Sequence, residues 1–510
     1  MNVPLRLPLS TPRLDVPRKL RSGPEGKGKG AFIESRLEPR LGLGLCGVLL
    51  AAVPRVLLIG LDCVPPLLVF ERYRGSLPHL DRLIDSGTFG PLRSTIPPIT
   101  VPAWASMLSG WDPGELGLYG FRNRIPGSRG LRLVESGDLR LPMLWDRLGE
   151  YGRRVSILFV PPSYPPRPVN GELISCFLTP DADSPHTYPP ELAGELRARF
   201  GPYRPDVENY RSEERPRLLQ EIYALSAQRF AIAEHLLRTR RSDLTALVDI
   251  GPDRFHHAFW SQIDPDDPHH VAEGRFAGEG LRYYQFLDDR IGALLAAAGD
   301  DCAVLVVSDH GARPLRACVC INEWLIERGY LVLERYPERV TPFDQLAIDW
   351  SRTRAWGEGG YYARICLNLR GREPEGCVDP AEADRLCERL ARELGELRGP
   401  AGEVLANRCV RPEQTYRRVT GLAPELMVFF DELAYRSLGS VGQRRLFSSR
   451  NDSGLDACNH AWDGIFIASG PGITPRGQLA AISCEDIAAT LYALLDVPAP
   501  HAHGRDQSRA

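Results

Sequence analysis

Lysine is nearly absent from this chain of 510 residues. Of its 62 basic residues, only Lys19, Lys27 and Lys29 are lysines, which we attribute to coding bias and from which we infer no function. A strong net charge is also lacking, since 65 acidic residues balance the basic ones to −3. The sequence therefore gives no electrostatic reason to expect a nucleic-acid polymer or an anionic membrane as the main partner.

Paired cysteine motifs are missing as well, although the chain contains 12 cysteines. No C-x-x-C occurs, and the C-x-C at Cys318 and Cys320 has no second partner motif. This pattern argues against a thiolate zinc site and against a small disulfide scaffold. We expect buried free thiols in a cytoplasmic protein, with secretion or membrane anchoring as the open alternatives.

No clear membrane-spanning run is found near the N-terminus. The apolar residues 41–53 are too few to cross a bilayer, and they run directly into RVLLIGLD, which the fold requires. Residues 1–40 are rich in Pro, Arg and Gly. We predict that residues 1–53 are a flexible or non-native extension, with a signal or anchor segment as the alternative. No stable membrane association is expected, and the oligomeric state stays open.

Apolar runs alternate with segments of helical periodicity along most of the chain. The runs are typical of strands buried on both faces, and they cover residues 55–61, 154–160, 243–250, 302–310 and 463–470. Helical spacing occurs over residues 77–87, 142–152, 215–239, 279–298 and 484–495. The alternation predicts an α/β fold with a mostly parallel central sheet flanked by helices.

Residues 341–450 break the alternation and are predicted to form an inserted cap that sets substrate selectivity. The catalytic core would then comprise residues 54–340 and 451–500, followed by a tail over 501–510. Within the cap, ELMVFF (425–430) either stays there or returns to the core. Four aromatic residues of the cap either stack on a substrate or form the cap's own core: Trp350, Trp356, Tyr361 and Tyr362.

Charged residues follow three of the predicted strands at the point where each strand ends. Asp62 follows RVLLIGL, and Asp309 and His310 follow CAVLVVS. Asp253 and His257 come after DLTALVDI. Ligands of open α/β sheets bind beyond the carboxyl ends of the strands, so we expect these residues to converge. Carboxylates and imidazoles suit zinc or another divalent transition metal, and their number suffices for more than one ion.

Thr100 lies in a proline-rich turn, TIPPITVPAWAS (95–106), before an apparent helix. A hydroxyl at a helix N-terminus lies among free backbone N–H groups, where an anionic phosphate is favoured. A metal that contacts its oxygen would lower its pKa and make it a nucleophile. Taken singly, each of these residues also fits a structural role as a turn residue, a helix cap or a core histidine.

Five segments, in order, resemble the type I phosphodiesterase/nucleotide pyrophosphatase family of the alkaline phosphatase superfamily. They are LLIGLD (57–62), PPITVPAWASMLSG (97–110), DRFHHAFW (253–260), VVSDHG (306–311) and NHAWDGIFIASGPGI (459–473). The resemblance implies an alkaline-phosphatase-like core with two metal sites, expected to hold a zinc pair, with manganese as the alternative. One site would comprise Asp62, Thr100, Asp309 and His310, and the other Asp253, His257 and His460.

The resemblance also implies a reaction in which Thr100 attacks phosphorus and forms a phosphothreonine, which water then hydrolyses. The leading expectation is a phosphodiesterase or pyrophosphatase that acts on a small phosphate ester. The alternatives are a phosphomonoesterase, a phosphonate hydrolase or a phosphotransferase of the same superfamily, and a catalytically silent binding protein. A sulfatase is disfavoured, because the sequence around Thr100 does not fit C/S-x-P-x-R.

The sequence departs from this pattern at residue 121. In nucleotide-cleaving members of the family, an Asn that binds a phosphate oxygen lies 21 residues after the nucleophile, whereas Phe121 occupies that position here. The neighbouring Arg122 and Asn123 are candidates for the same role, and a surface turn is the alternative. The departure weakens the prediction of a nucleotide substrate more than the prediction of the chemistry.

Overall fold

The computed structural model of the protein describes residues 53–500 and 504–508. Nearly all of the predicted N-terminal extension lies outside these residues, as do His501 and His503 of the predicted tail. None of the helices in the described ranges combines the length and the apolar character needed to cross a membrane.

The secondary structure follows the alternation seen in the sequence. The strands before residue 330 are β1 (Arg55–Leu61), β2 (Thr88–Arg93), β3 (Arg122–Arg124), β4 (Leu131–Leu133), β5 (Val155–Leu158), β6 (Gly171–Ile174), β7 (Thr187–Tyr188), β8 (Leu244–Asp249), β9 (Cys302–Val307), β10 (Gly311–Pro314) and β11 (Ala317–Cys320). The α-helices there are α1 (Pro78–Ser86), α2 (Thr100–Met107), α3 (Pro113–Leu116), α4 (Leu144–Glu150), α5 (Leu192–Phe200), α6 (Arg215–Thr239), α7 (Gly251–Ile263), α8 (Glu279–Ala298) and α9 (Ile321–Glu327).

The remaining elements include those of the predicted cap. The strands are β12 (Ala355–Glu358), β13 (Ala363–Leu367), β14 (Arg408–Val410), β15 (Leu426–Phe429), β16 (Tyr435–Leu438), β17 (Phe447–Ser448), β18 (Cys458–Ala461), β19 (Asp463–Ser469), β20 (Gly477–Gln478) and β21 (Ile482–Ser483). The α-helices are α10 (Ala383–Gly395), α11 (Pro412–Thr415) and α12 (Cys484–Leu494).

A ten-stranded sheet forms the centre, in the order β20-β2-β19-β9-β1-β8-β5-β6-β7, and β21 also pairs with β2. The five neighbours from β9 to β6 are parallel. By contrast, β19 runs antiparallel to both β2 and β9. The predicted α/β class with a mostly parallel central sheet is confirmed.

Helices cover both faces of this sheet. In β1, Leu57 and Ile59 pack into the apolar core that includes residues of α1, α6, α7 and α8. Val56 and Leu58 face the other way and pack with residues of α2, α4 and α12. Because both faces are buried, the strand is marked by a continuous apolar run and not by alternation.

Residues 355–429 contain a second, antiparallel sheet in the order β12-β13-β15-β14. The ELMVFF segment supplies β15 of this sheet, so it does not return to the central sheet. Helix α10 contributes Leu386 and Leu390 to an apolar core shared with Trp356. Strand β11, which precedes residue 341, pairs with β16 and β17, so strand pairing crosses the boundary predicted there.

Three parallel strands end side by side at one edge of the central sheet. Gly60 in β1 is opposite Val248 in β8 and Val307 in β9. The backbone N–H of Asp62 donates to the Asp249 carbonyl oxygen over 3.0 Å, which extends this register by one residue. The residues that follow these strands are therefore brought together, as strand-end placement predicts.

Candidate metal centre

All seven residues predicted to bind metal lie together at this edge. Each is at most 1% exposed: Asp62, Thr100, Asp253, His257, Asp309, His310 and His460. We call Asp62, Thr100, Asp309 and His310 the first ligand cluster. We call Asp253, His257 and His460 the second ligand cluster.

Local structure explains how the second ligand cluster assembles. Helix α7 starts directly after β8, and Asp253 and His257 lie one turn apart on it, so their side chains share a face. His460 arrives from β18, which pairs with β10 so that His460 is opposite Ala312. This pairing stacks the His460 ring on the His310 ring, with centroids 3.7 Å apart. The two clusters are therefore contiguous.

The polar atoms of the first ligand cluster are close to one another. The Thr100 Oγ1 lies 3.3 Å from His310 Nε2 and 3.5 Å from Asp62 Oδ1. His310 Nε2 is 3.2 Å from Asp309 Oδ2 and 3.7 Å from Asp62 Oδ1. The Thr100 hydroxyl thus lies directly beside the atoms that could hold a metal.

In the second ligand cluster, Asp253 Oδ1 is the common neighbour. It lies 3.2 Å from His257 Nε2 and 3.7 Å from His460 Nε2. Ligand atoms of Asp253, His310 and His460 also lie within 4.8 Å of one another, as do those of Asp62, Asp309 and His310. The centre therefore offers two adjacent groups of ligand atoms that share one small volume.

All three imidazoles are held through Nδ1, so each turns Nε2 toward the centre. His310 Nδ1 lies 3.2 Å from the Gly311 carbonyl and His460 Nδ1 lies 2.8 Å from the Pro98 carbonyl. A carbonyl only accepts, so these Nδ1 atoms carry the hydrogen and Nε2 carries the lone pair. His257 Nδ1 is 2.6 Å from Asp456 Oδ1. Such outer partners are what metal-binding histidines require.

Three ligand atoms of the centre are buried and have no hydrogen-bond partner among the described residues: Asp253 Oδ1, Asp309 Oδ2 and His460 Nε2. An unpaired buried polar atom is costly unless a ligand or ion satisfies it. All three are oxygen or nitrogen donors of the types that bind zinc and manganese. The residues present therefore fit a divalent metal centre.

The pKa shifts at the centre also favour a bound cation. Burial, followed by repulsion from Asp253, raises the pKa of Asp62 well above its usual range. Burial, followed by repulsion from Asp62, does the same for the pKa of Asp309. Burial lowers the pKa of His310 to about 4, so its ring is neutral at pH 7. His257 differs, because burial alone would lower its pKa but the acidic groups around it, Asp456 foremost, raise the pKa of His257 well above its usual range. Crowded carboxylates beside the neutral ring of His310 form a set that a cation would stabilise.

Asp62 is oriented by a residue that the sequence analysis did not single out. The Trp104 indole Nε1 donates to Asp62 Oδ2 over 2.8 Å. The ring of Trp104 passes close to the backbone of β1, where a Cβ on Gly60 would lie only 2.4 Å from it. A glycine at position 60 is thus required for the close approach that brings the indole to the carboxylate.

Asp456 is a second residue that sequence reasoning missed. Its side chain is fully buried, and its two oxygens contact His257 on one side and the guanidinium groups of Arg211 and Arg436 on the other. Burial alone would raise its pKa, but His257 and Arg211 hold the pKa of Asp456 at about 2. The carboxylate is therefore charged and fixes the orientation of His257.

His256, which directly precedes His257, is fully buried. Its ring faces the Cys63 carbonyl at 3.0 Å and the Tyr284 hydroxyl at 3.1 Å. Burial lowers its pKa to about 3, which keeps the ring neutral. His256 therefore supports the backbone of the segment that follows Asp62.

Arg122 and Asn123 lie on the β3–β4 hairpin. Arg122 is exposed, and the Asn123 amide donates to the Gly117 carbonyl over 3.0 Å. Within the described residues, neither hydrogen-bonds to a member of the ligand clusters. Their role in binding phosphate stays a prediction.

We call residues 341–450, the predicted cap, the cap segment, and its four aromatics divide into two groups. Trp350 and Trp356 pack against each other in the apolar core of the cap segment, and Tyr362 stacks on Phe429. Tyr361 instead reaches the metal centre, where its ring stacks on His460 with centroids 3.8 Å apart. Of the four, Tyr361 alone contacts a ligand cluster.

A buried carboxylate–imidazole centre at the carboxyl edge of an α/β sheet, with a threonine at a helix start, is typical of metal-dependent hydrolases of phosphoric esters. The family model for type I phosphodiesterase / nucleotide pyrophosphatase matches residues 56–455. The chain belongs to this family, whose members are metal-dependent, and it is a hydrolase that acts on phosphoric esters. The predicted ligand His460 lies just beyond the matched residues.

Solved structures agree with this assignment at the level of the fold. The chain is similar to human ectonucleotide pyrophosphatase / phosphodiesterase 5, with a TM-score of 0.54, 14% identity, and coverage of 89% of this chain and 98% of that chain. An inactive variant of the murine protein in complex with AMP gives a TM-score of 0.53 at 14% identity, with the same coverage. The alkaline-phosphatase-like fold is confirmed. No curated protein matches the sequence.

Proposed function

We propose that the chain is a phosphodiesterase that cleaves a small phosphate ester, with Thr100 as the nucleophile and two divalent metal ions, preferably zinc, in the two ligand clusters. The placement of the Thr100 hydroxyl carries the proposal. This buried hydroxyl lies at the first residue of α2, within 3.5 Å of both Asp62 and His310. Both of these neighbours belong to the first ligand cluster.

The start of α2 also supports a phosphate at this position. The residue before the helix, Ile99, offers no side-chain acceptor to the first backbone N–H groups. The N–H groups of Thr100 and Val101 have no partner within the helix, as in the first turn of any α-helix. They are therefore available to an anionic oxygen at the positive end of the helix dipole.

The chemistry follows from these positions. Metal ions bound in the two clusters would lower the pKa of the Thr100 hydroxyl and offset charge on the phosphate oxygens. The Thr100 oxygen would bond to phosphorus while the bond to the leaving oxygen breaks, and the leaving oxygen would keep the electron pair and take up a proton. Water would then cleave the resulting phosphothreonine, releasing phosphate monoester and restoring the hydroxyl.

The decisive experiment compares bis-p-nitrophenyl phosphate with p-nitrophenyl phosphate, with added zinc or manganese and with chelator. We expect faster cleavage of the diester and loss of activity in chelator. Thr100→Ala should lower kcat by about 1,000-fold or more, since removal of a nucleophile has effects of this order. The matched control is Thr88→Ala, which removes another buried threonine hydroxyl, bonded to the Thr474 carbonyl and remote from the centre.

Each other result has a defined meaning. Faster cleavage of the monoester would select a phosphomonoesterase of the same superfamily. Metal-dependent turnover that survives Thr100→Ala would contradict the proposed nucleophile. Absence of turnover of both esters with any metal would contradict cleavage of simple phosphate esters and leave a narrowly selective hydrolase or a silent protein.

A further inference from the structure

Tyr361 connects the cap segment to the candidate metal centre. It lies in the loop between β12 and β13 and is only 7% exposed. Its ring covers His460, and its hydroxyl lies 3.3 Å from His257 Nε2. One side chain of the cap segment thus touches two of the three members of the second ligand cluster.

The hydrogen-bonding capacity of the Tyr361 hydroxyl is partly used. Arg211 Nη2 donates to the hydroxyl oxygen over 2.9 Å. A guanidinium can only donate, so the single hydrogen of the hydroxyl is left to donate elsewhere. Its other polar neighbour in this structure is His257 Nε2, at 3.3 Å.

This Nε2 is the atom through which His257 would bind a metal. Asp456 holds the Nδ1 side of the ring at 2.6 Å, which leaves Nε2 facing the centre as the atom that can give a lone pair to a metal. A metal bound through Nε2 would leave the Tyr361 O–H with no acceptor on this ring. A buried donor without an acceptor favours any ligand oxygen within reach.

We propose that Tyr361 is a catalytic residue whose hydroxyl donates a hydrogen bond to a non-bridging oxygen of the bound phosphate. This inference rests on the proposed function and adds a residue to it. The guanidinium carbons of Arg211 and Arg436 lie 5.7 and 4.5 Å from the centroid of the Tyr361 ring, and their charge strengthens the donor. Phe121, whose ring centroid is 6.3 Å from that of Tyr361, offers no donor on that side.

The backbone around Tyr361 is fixed with respect to the centre. The Asn459 amide donates to the Tyr361 carbonyl over 3.1 Å, and Asn459 directly precedes His460. The hydroxyl is therefore positioned by Arg211 and by the strand that carries a metal ligand. Such preorganised donors act strongly on charge that develops in the transition state.

The test is Tyr361→Phe in the metal-loaded protein, which keeps the ring on His460 and removes only the hydroxyl. Loss of one preorganised donor to a phosphate oxygen should lower kcat/KM for the diester by about 10–100-fold. This is somewhat less than the largest losses of rate caused by removing a single donor that stabilises a transition state. The dissociation constant of orthovanadate, a phosphate analogue, should rise by a similar factor. The metal content, measured by mass spectrometry, should stay unchanged.

Tyr362→Phe is the matched control. The Tyr362 hydroxyl also makes one hydrogen bond, to the Tyr119 carbonyl, but its ring stacks on Phe429 and not on a metal ligand. Its kcat/KM and vanadate affinity should stay within about twofold of wild type, a difference of about 0.4 kcal/mol.

The outcomes separate this inference from the proposed function. Wild-type vanadate affinity in Tyr361→Phe, or loss of metal from that variant, overturns the role of Tyr361 even where Thr100→Ala abolishes turnover. Weaker vanadate binding in Tyr361→Phe supports the role even if no ester tested is cleaved. A metal-loaded wild type that binds no vanadate overturns it together with the proposed function.

Discussion

The edge of the central sheet that carries the ligand clusters and the antiparallel sheet of the cap segment differ in what they bury. The edge buries carboxylates and imidazoles, and three of their ligand atoms have no partner among the described residues. The cap sheet and α10 bury an apolar cluster around Trp356 and Leu390. Burial of the carboxylates and imidazoles costs stability but holds them in position for a reaction. Burial of the apolar cluster in the cap segment stabilises the fold.

The difference implies that substitutions in the two regions should separate turnover from stability. Replacing a carboxylate at the edge relieves repulsion between buried charges, so it should abolish turnover at little cost in folding. Truncating an apolar side chain of the cap should do the reverse. Tyr361 is the exception that joins the two regions, because its backbone belongs to the cap segment and its side chain to the edge.

The largest effect is expected for Asp309→Asn. The amide is a poorer metal ligand than the carboxylate, so kcat/KM should fall. Substituting a residue that hydrogen-bonds to a metal ligand costs about 10–100-fold, and the loss here should be well above that range. The melting temperature in chelator should stay equal or rise, because burial and Asp62 raise the pKa of Asp309 and its charged form is disfavoured at neutral pH. Steady-state kinetics and calorimetry give both quantities.

Asp288→Asn is the control for this substitution. Asp288 is also buried, but it accepts hydrogen bonds from the backbone N–H groups of His79 and Leu80 and does not contact the ligand clusters. It should lower the melting temperature and leave kcat/KM unchanged. If Asp309→Asn lowered the melting temperature as much as Asp288→Asn, this would contradict the repulsion between buried carboxylates at the edge.

An intermediate effect is expected for Asp456→Asn. The amide can still accept from His257 Nδ1, but the charge that holds His257, Arg211 and Arg436 together is lost. We expect metal affinity or kcat/KM to fall by about 10–100-fold. Titration of the apoprotein with zinc separates the two effects. The control is Asp452→Asn, four residues earlier, whose carboxylate accepts hydrogen bonds from Ser440. Equal losses in both variants would contradict a specific role for Asp456.

The sequence predicted the ligand clusters because their members follow buried apolar runs or lie within the five family segments. It could not identify Asp456 or Tyr361. Asp456 contacts His257 across 199 positions of sequence, and no local pattern marks such a pair. Tyr361 and Tyr362 are adjacent and chemically alike, yet one faces the metal centre and the other packs on Phe429. Tertiary packing alone distinguishes them.

The fold was predictable to a similar degree. The strands that are buried on both faces carry continuous apolar runs, and β1, β5, β8, β9 and β19 all lie within the predicted ranges. The strands β7, β20 and β21 have only two residues each, so they leave no run to detect. The antiparallel direction of β19 was not predictable, since residues buried on both faces give the same pattern in either direction.

The smallest effect on turnover is expected for Leu390→Ala in α10. Leu390 is fully buried in the apolar core of the cap segment, so its truncation should lower the free energy of unfolding by about 2–5 kcal/mol. Diester turnover at 25 °C should stay within about twofold of wild type, a difference of about 0.4 kcal/mol, since this core includes no member of the ligand clusters. Glu388→Ala, an exposed change on the same helix, should alter stability by less than about 0.5 kcal/mol. Chemical denaturation and kcat/KM measured on the same samples test both parts.

A tenfold loss of turnover in folded Leu390→Ala would mean that packing in the cap core also sets the position of Tyr361, and that the two regions are not separable.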